Sequence, residues 1–277
     1  MQPQDTTPMQ LPLHGFAEVE YLAVVDDLGP VGELPNYKVT ASQPRYVRAS
    51  NGQEYIIKGP RITPDHPFVG VNEFVVTKLA SYLGLPVLDY RILRMGDSLC
   101  FASAWMDGST FYPQITGDIF AQCVNREAVY KLIAFDCWIS NTDRHDGNLI
   151  ARKPRPQKTS QDCPALVLND HGHSMMQPKQ NPQHLDARKT TRATECVRLP
   201  FLAQAIVSYD LFEHAVTAME QLSEELIRIS LREVPDAWIN PDERELVAQF
   251  LLHRQSHLRD ILNSDRTLFP ALKEKTL

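Results

Sequence analysis

Apolar and polar positions alternate in short runs over roughly the first hundred residues, then settle into helical spacing. PRYVRASNGQEYIIKG (44–59) sets two β-rich runs on either side of Asn51-Gly52, a pair that favours a tight hairpin because both residues tolerate positive φ. Lys58 closes the second run. DYRILRM (89–95) and SLCFASAWM (98–106) flank Gly96-Asp97 and predict a second hairpin. FAEVEYLAVV (16–25) alternates in part and reads as a further strand. Between the hairpins, VNEFVVTKLASYLG (71–84) spaces Val71, Phe74, Val75, Lys78, Leu79 and Tyr82 at the helical period, with Gly84 placed to stop the helix.

REAVYKLIAFDCWIS (126–140) is apolar nearly all round, which suits a helix buried on every side. RKPRPQKTSQDCP (152–164) reads as a polar loop and ALVLND (165–170) as a short buried strand. Residues 173–200 carry prolines and polar groups without a period and predict a long loop. In 209–230, Phe212, Ala215, Met219, Leu222, Leu226 and Ile229 share one helical face. The segment 240–262 opens with Asn240 as N-cap, Pro241 at the first helical position and Glu243 completing a capping box. The pattern as a whole predicts an α+β chain: a loose tail over 1–13, a β-rich region with one helix over 14–106, and a mostly helical region over 107–277.

Composition narrows the class. The chain has 277 residues, 43% hydrophobic and 22% charged, enough for a sizeable core. A net charge of -6 argues against a dedicated nucleic-acid binder, so no direct nucleic-acid contact is expected. The five cysteines are odd in number and form no C-x-x-C pair, which disfavours a disulfide framework and points to a reducing, cytoplasmic setting. The N-terminus lacks the basic and apolar regions of a secretory signal, and no apolar run is long enough to span a membrane.

The chemistry concentrates in NTDRHDGNLIARK (141–153), where a buried-looking helix gives way to a short loop bearing Asp143, Arg144, His145, Asp146 and Asn148. Asp170 follows the apolar run of 165–168, Lys58 ends a strand, and Glu73 sits on the next helix. Transfer of a phosphoryl group from a nucleoside triphosphate needs this set, because such catalysis is mostly positioning and charge neutralisation. Lys58 is placed to hold phosphates, with Glu73 holding the lysine. Asp170 and the amide oxygen of Asn148 are candidate Mg²⁺ ligands, since that ion prefers oxygen donors and keeps several waters. Asp143 is the candidate base for the incoming hydroxyl, and D-x-x-x-x-N spacing lets base and metal ligand face one cleft. His145 is expected to brace the loop through backbone or Asp170. Arg144 is expected to meet phosphate or solvent. Asp136 is expected either buried, accepting donors from the loop, or at the surface.

The ordered segments TASQPRYVRASNGQEYIIKG, NEFVVTKLASYLGLPV, FDCWISNTDRHDGNLI and LNDHGHSM resemble the HipA-like kinase family. More distantly they are similar to the protein-kinase-like and phosphatidylinositol-kinase superfamily, where N-T-D-R-H or G-D-R-H precedes the asparagine. The resemblance covers roughly 15–180. It implies a bilobal protein-kinase-like fold, with 14–106 as a β-rich N-lobe and 107–277 as a helical C-lobe. It also implies ATP and Mg²⁺ as cofactors and phosphorylation of a protein Ser/Thr hydroxyl. Some relatives are toxins of toxin–antitoxin pairs, so the implied partners are a protein substrate and an antitoxin or other regulatory protein. Trp105 and Met106 fall where the hinge between lobes is expected, with backbone groups of Ala104–Met106 holding adenine. The chain departs from the superfamily in lacking G-x-G-x-x-G before the lysine strand. Thr40–Arg45 stands there instead, and its turn, with Ser42, is expected to offer N–H groups and hydroxyls to phosphate. Asp170 is followed by His-Gly rather than Phe-Gly, and the chain is short beside the toxin relatives, so their extra N-terminal subdomain is not expected.

Two other readings use some of the same residues. His145, His171 and His173 with Asp143 could ligate zinc or another transition metal in a hydrolase. Alternatively, the chain binds ATP or a partner without turnover, as a pseudokinase.

Overall fold

The computed structural model describes residues 21–33, 43–107, 111, 112, 114–153 and 163–277. Five strands come first: β1 (Leu22–Pro30), β2 (Arg45–Ala49), β3 (Glu54–Lys58), β4 (Tyr90–Met95) and β5 (Ser98–Ala104). Both expected hairpins form. Arg45 pairs with Ile57 across β2–β3, and Met95 with Ser98 across β4–β5. Gly52 and Gly96 take φ of +79° and +57° in the two turns, a region that costs a side-chain-bearing residue. Alternation along single strands cannot reveal closure. Here β4 returns to pair in parallel with β1, Leu22 opposite Leu93, and the strands close into a barrel in the order β1-β2-β3-β5-β4. Closure satisfies the edge N–H and C=O groups that an open sheet would expose. The strand expected over 16–25 is found at Leu22–Pro30; the expected tail and residues 16–20 lie outside the described residues. Val47, Ala49, Tyr55, Ile57, Leu93, Cys100 and Ala102 fill a small core of the barrel's own.

α1 (Val69–Tyr82) begins two residues earlier than its apolar spacing predicts, and every residue from Val69 to Ala80 is buried. The one-faced helix of the sequence pattern is therefore covered on all sides. Its apolar residues join the large core formed by the later helices rather than that of the barrel. Gly70 permits this seating, because a Cβ there would meet the Trp238 ring at 3.1 Å. The Trp238 indole N–H in turn donates to Leu99 of β5 at 3.0 Å.

After the barrel come α2 (Gly117–Gln122) and α3 (Ala128–Trp138), the latter buried as its all-round apolarity predicts. β6 (Leu149–Arg152) and β7 (Ala165–Leu168) pair antiparallel, Leu149 opposite Leu168. β7 matches the expected short strand. β6 has no period of its own and is defined by its partners, β7 and a bridge from Phe111 to Arg152. The segment read as a long loop holds α4 (Leu185–Arg188) and α5 (Ala193–Cys196) and leads into α6 (Pro200–Gln204), helices too short for a period to show. The stripe over 209–230 is divided into α7 (Tyr209–Glu220) and α8 (Glu224–Arg232), because Ser223 accepts the Leu226 N–H and starts a new helix. α9 (Pro241–Ser256) opens with the predicted Asn240–Glu243 capping box and is followed by α10 (Leu258–Ser264). Among the described residues no helix is long and apolar enough to cross a membrane.

Candidate active site

Lys58, at the end of β3, places its ammonium 2.6 Å from Glu73 Oε1 of α1 and 2.7 Å from Asp170 Oδ1, two residues beyond β7. The second Glu73 oxygen accepts the His171 amide at 3.0 Å. Asp170 takes φ +53°, which Asp tolerates better than most residues, and its Oδ1 accepts the Gly172 amide at 3.1 Å to close an Asx-type turn. One cation thus faces two carboxylates. Burial alone lowers a lysine pKa, but Asp170 and Glu73 outweigh it and hold the Lys58 ammonium above the usual lysine range. Burial alone would raise Asp170, yet Lys58 holds it well below the usual carboxylate range. Glu73 moves the other way: burial, reinforced by the Asp170 charge, pushes it up to about 7 against the pull of Lys58. Two carboxylates share one cation, so the charge settles on Asp170 and its presence raises Glu73.

α1 is tied to the segment after Asp170 by the residue preceding Glu73. Asn72, fully buried, donates to Gly172 O at 2.7 Å and Met176 O at 2.6 Å and accepts the Met176 amide at 3.3 Å. His66 Nε2 also meets Gly172 O. Nothing in a single-sequence pattern marks Asn72 or His66, whose partners lie about a hundred positions away.

The loop after α3 is built on Arg144, which is 1% exposed. Its Nε and Nη2 donate to the two oxygens of Asp136, each at 3.0 Å, and its Nη1 donates to Asn148 O at 2.7 Å and Asn169 O at 3.0 Å. A fork-to-fork Arg–carboxylate pair fixes both partners in plane. Arg144 therefore meets neither phosphate nor solvent; it joins the loops carrying Asn148 and Asp170. Asp136 is the buried acceptor, taking side-chain donors from Arg144 and Asn141. Its placement on an otherwise apolar helix was the signal in the sequence. His145 is half-exposed and braces its own loop by accepting the Gly147 amide at 3.0 Å, rather than reaching Asp170.

Three groups converge on Asp143 Oδ2: Asn148 Nδ2 at 3.4 Å, His173 Nδ1 at 3.6 Å and His145 Nε2 at 3.9 Å. Asn148 Nδ2 also donates to Asp143 O at 2.8 Å, which leaves the amide oxygen for another partner. Lys58, Glu73, Asp143, Asn148 and Asp170 all line one cavity of about 700 Å³, as does Met106. Its apolar lining includes Val31, Ile56, Val87, Phe111 and Ile150. Trp105 is not among its lining residues. The Trp105 ring packs on Tyr46 with centroids 4.4 Å apart, because neighbours in an extended segment point to opposite sides. Ser42 lies outside the described residues.

The zinc alternative is not supported by this geometry. His171 is buried with Nδ1 3.3 Å from Arg144 Nη2, a guanidinium that stands beside the ring in place of a metal. Among the described residues no three His, Cys, Asp or Glu side chains are grouped to hold a metal ion. A hard ion needing only a carboxylate and an amide oxygen, with water for the rest, does fit Asp170 and Asn148.

Solved structures share this fold. The proinflammatory kinase CtkA of Helicobacter pylori is similar over 92% of this chain and 100% of its own, with a TM-score of 0.56 and 12% identity. HipA of Shewanella oneidensis MR-1, solved with HipB and operator DNA, is similar over 91% of this chain and 74% of its own, with a TM-score of 0.48 and 12% identity. A Golgi casein kinase with Mn/ADP bound is similar over 93% and 75%, with a TM-score of 0.43 and 11% identity. At such identities the likeness is one of fold, and that to CtkA carries it. No curated protein matches the sequence. The sequence model of the HipA-like kinases matches residues 36–267, from ahead of the first hairpin to the last helices. With that much of its length matched, the chain belongs to the HipA-like kinase family.

Proposed function

We propose that the protein transfers the γ-phosphoryl group of Mg-ATP to a Ser or Thr hydroxyl of a protein. The observation that carries this reading is the single cavity in which the Lys58 ammonium, paired with Glu73 and Asp170, lies together with Asp143 and Asn148 beneath apolar walls. An apolar slot with a few convergent polar groups is the usual make-up of a small-molecule site, and 700 Å³ is within its usual size. Met106, Phe111 and Ile150, packed as one apolar cluster, suit a flat base. In this reading the barrel with α1 acts as the N-lobe and the helical remainder as the C-lobe.

Lys58 neutralises phosphate charge, and Glu73 keeps the lysine in place. Asp170, held ionised by Lys58, and the Asn148 amide oxygen would hold Mg²⁺, which when bound shields the charge that develops on the transferred group. Asp143 takes the proton of the acceptor hydroxyl. Its Oδ2 is already surrounded by Asn148, His173 and His145, so Oδ1 is the oxygen left to do so. The family also supplies toxin members, so an antitoxin-like regulatory partner belongs to the same proposal.

The test is incubation with γ-labelled ATP and Mg²⁺, with and without cell lysate. Labelled protein bands that disappear in Asp143→Ala are expected. Tight Mg-ATP binding without any transfer would instead favour the pseudokinase reading. Asp170→Ala should abolish Mg²⁺-dependent nucleotide binding, and retained affinity would remove Asp170 from the metal site.

A further inference from the structure

Arg198 lies between α5 and α6, remote in sequence from the loop of Asp143, yet its Nη1 donates to Thr142 O at 2.9 Å. It is exposed, and it is not one of the residues lining the cavity. The Thr142 hydroxyl accepts from Gln177 Nε2 at 3.1 Å, which also donates to His173 O at 2.6 Å. Gln177, Thr142 and Arg198 thus form a fixed edge beside the residue proposed as base. Most other described arginines of this half are committed; Arg126, Arg152 and Arg266 are not, but no side-chain bond ties any of them to the loop of Asp143. Arg144 and Arg254 are buried on carbonyls or Asp136, and Arg192, Arg228, Arg244 and Arg259 each have a carboxylate within 4 Å. Arg198 meets no carboxylate among the described residues, and one backbone bond uses only one of its five N–H donors.

On the reading that the cavity is a protein kinase site, we infer that Arg198 selects acceptor segments bearing a carboxylate near the phosphorylated hydroxyl. Thr142 immediately precedes Asp143, so a segment that delivers its hydroxyl to Asp143 would pass close to this edge. Extended chain advances about 3.3 Å per residue. A guanidinium bonded to the carbonyl of the residue before Asp143 therefore faces a side chain about one to three positions from the acceptor. The free fork of Arg198 offers bidentate geometry to Asp or Glu and repels Lys or Arg. Charges on the facing elements are Asp143, His145 and Asp146 on the loop and His173 beyond Asp170. The acids among them would repel an acidic segment, so Arg198 is the group that offsets them.

Two fluorescent peptides, a serine flanked by glutamates and a serine flanked by lysines, are titrated onto the full chain with Mg²⁺ and a non-hydrolysable ATP analogue. The expected result is affinity at least about ten-fold higher for the acidic peptide, lost or inverted in Arg198→Glu, reduced in Arg198→Gln, and largely kept in Arg198→Lys. Thermal midpoints of the variants check the fold. Equal change for both peptides in all variants would mean that Arg198 only pins the loop, and would overturn the proposal. So would wild-type preference for the lysine peptide, or no measurable affinity for the acidic one. Transfer from γ-labelled ATP to the same peptides is measured separately. Selective binding with no transfer to either peptide or to any lysate protein would sink the kinase reading and reduce Arg198 to a determinant of peptide binding; transfer with unchanged selectivity in Arg198→Glu would sink the Arg198 proposal alone.

Discussion

The two polar ends of the cavity are built differently. At the Lys58 end, contacts are 2.6 and 2.7 Å and the lysine and glutamate side chains are almost wholly buried. At the Asp143 end, the histidine contacts are 3.6 and 3.9 Å and the Asp143 and His145 side chains are 33% and 52% exposed. The first end is preorganised before any ligand arrives, which suits an invariant group such as a triphosphate. The second keeps its carboxylate reachable and its imidazoles adjustable, which suits an acceptor that arrives from outside. Such contacts often tighten only when substrate is bound. Rigidity at one end is supplied by α1, whose burial in the large core leaves Glu73 little freedom to move.

The sharpest way to break the comparison is Asp143→Ala. A positioned base contributes about 10²–10⁴-fold, so kcat should fall by that factor while nucleotide affinity, set at the other end, persists. A parallel loss of nucleotide binding, measured by titration calorimetry, would mean the ends are not separate. Asp136→Ala acts on both ends at once, because Arg144 holds Asn148 and Asn169 together. Stranding a buried guanidinium should cost about 3–5 kcal/mol, read from denaturant unfolding. A cost below about 1 kcal/mol would show that Arg144 finds other partners.

Asn72→Ala probes the rigid end alone. It removes three buried hydrogen bonds between α1 and the Gly172–Met176 segment, and about 1–3 kcal/mol of stability should go with them. If α1 is what preorganises Lys58, nucleotide affinity should fall in the same variant while the midpoint still allows assay. The last effect is one of pH, and it is small only when read over a single pH unit. Burial lowers the His66 pKa from its usual 6.5 to about 4, against the bond to Gly172 O. The folded protein thus keeps His66 neutral where the unfolded chain takes up a proton. Its contribution is complete above pH 6.5 and is lost as pH falls from 6.5 towards 4, with a slope of at most about 1.4 kcal/mol per pH unit. Glu73, raised to about 7, has the opposite slope between 4.5 and 7, so the wild-type curve alone is ambiguous. The difference between wild type and His66→Gln, from thermal midpoints across this window, isolates the histidine; parallel curves would refute its neutral burial.

What the sequence determined by itself was local: two hairpins set by Asn51-Gly52 and Gly96-Asp97, a helix stopped at Gly84, a capping box at Asn240, and the residue types a phosphoryl-transfer site needs. These follow from φ preferences, periodicity and donor chemistry, which act within a few positions. Tertiary structure decided the rest. The barrel closes through the parallel pairing of Leu22 with Leu93, and β6 exists because Leu168 lies opposite Leu149. Trp105 turns to Tyr46 while Met106 turns to the cavity, and Arg144 disappears beneath the loop it braces. Each of these depends on a partner far along the chain. Pattern in one segment carries no information about which distant segment will satisfy its hydrogen bonds or its charge.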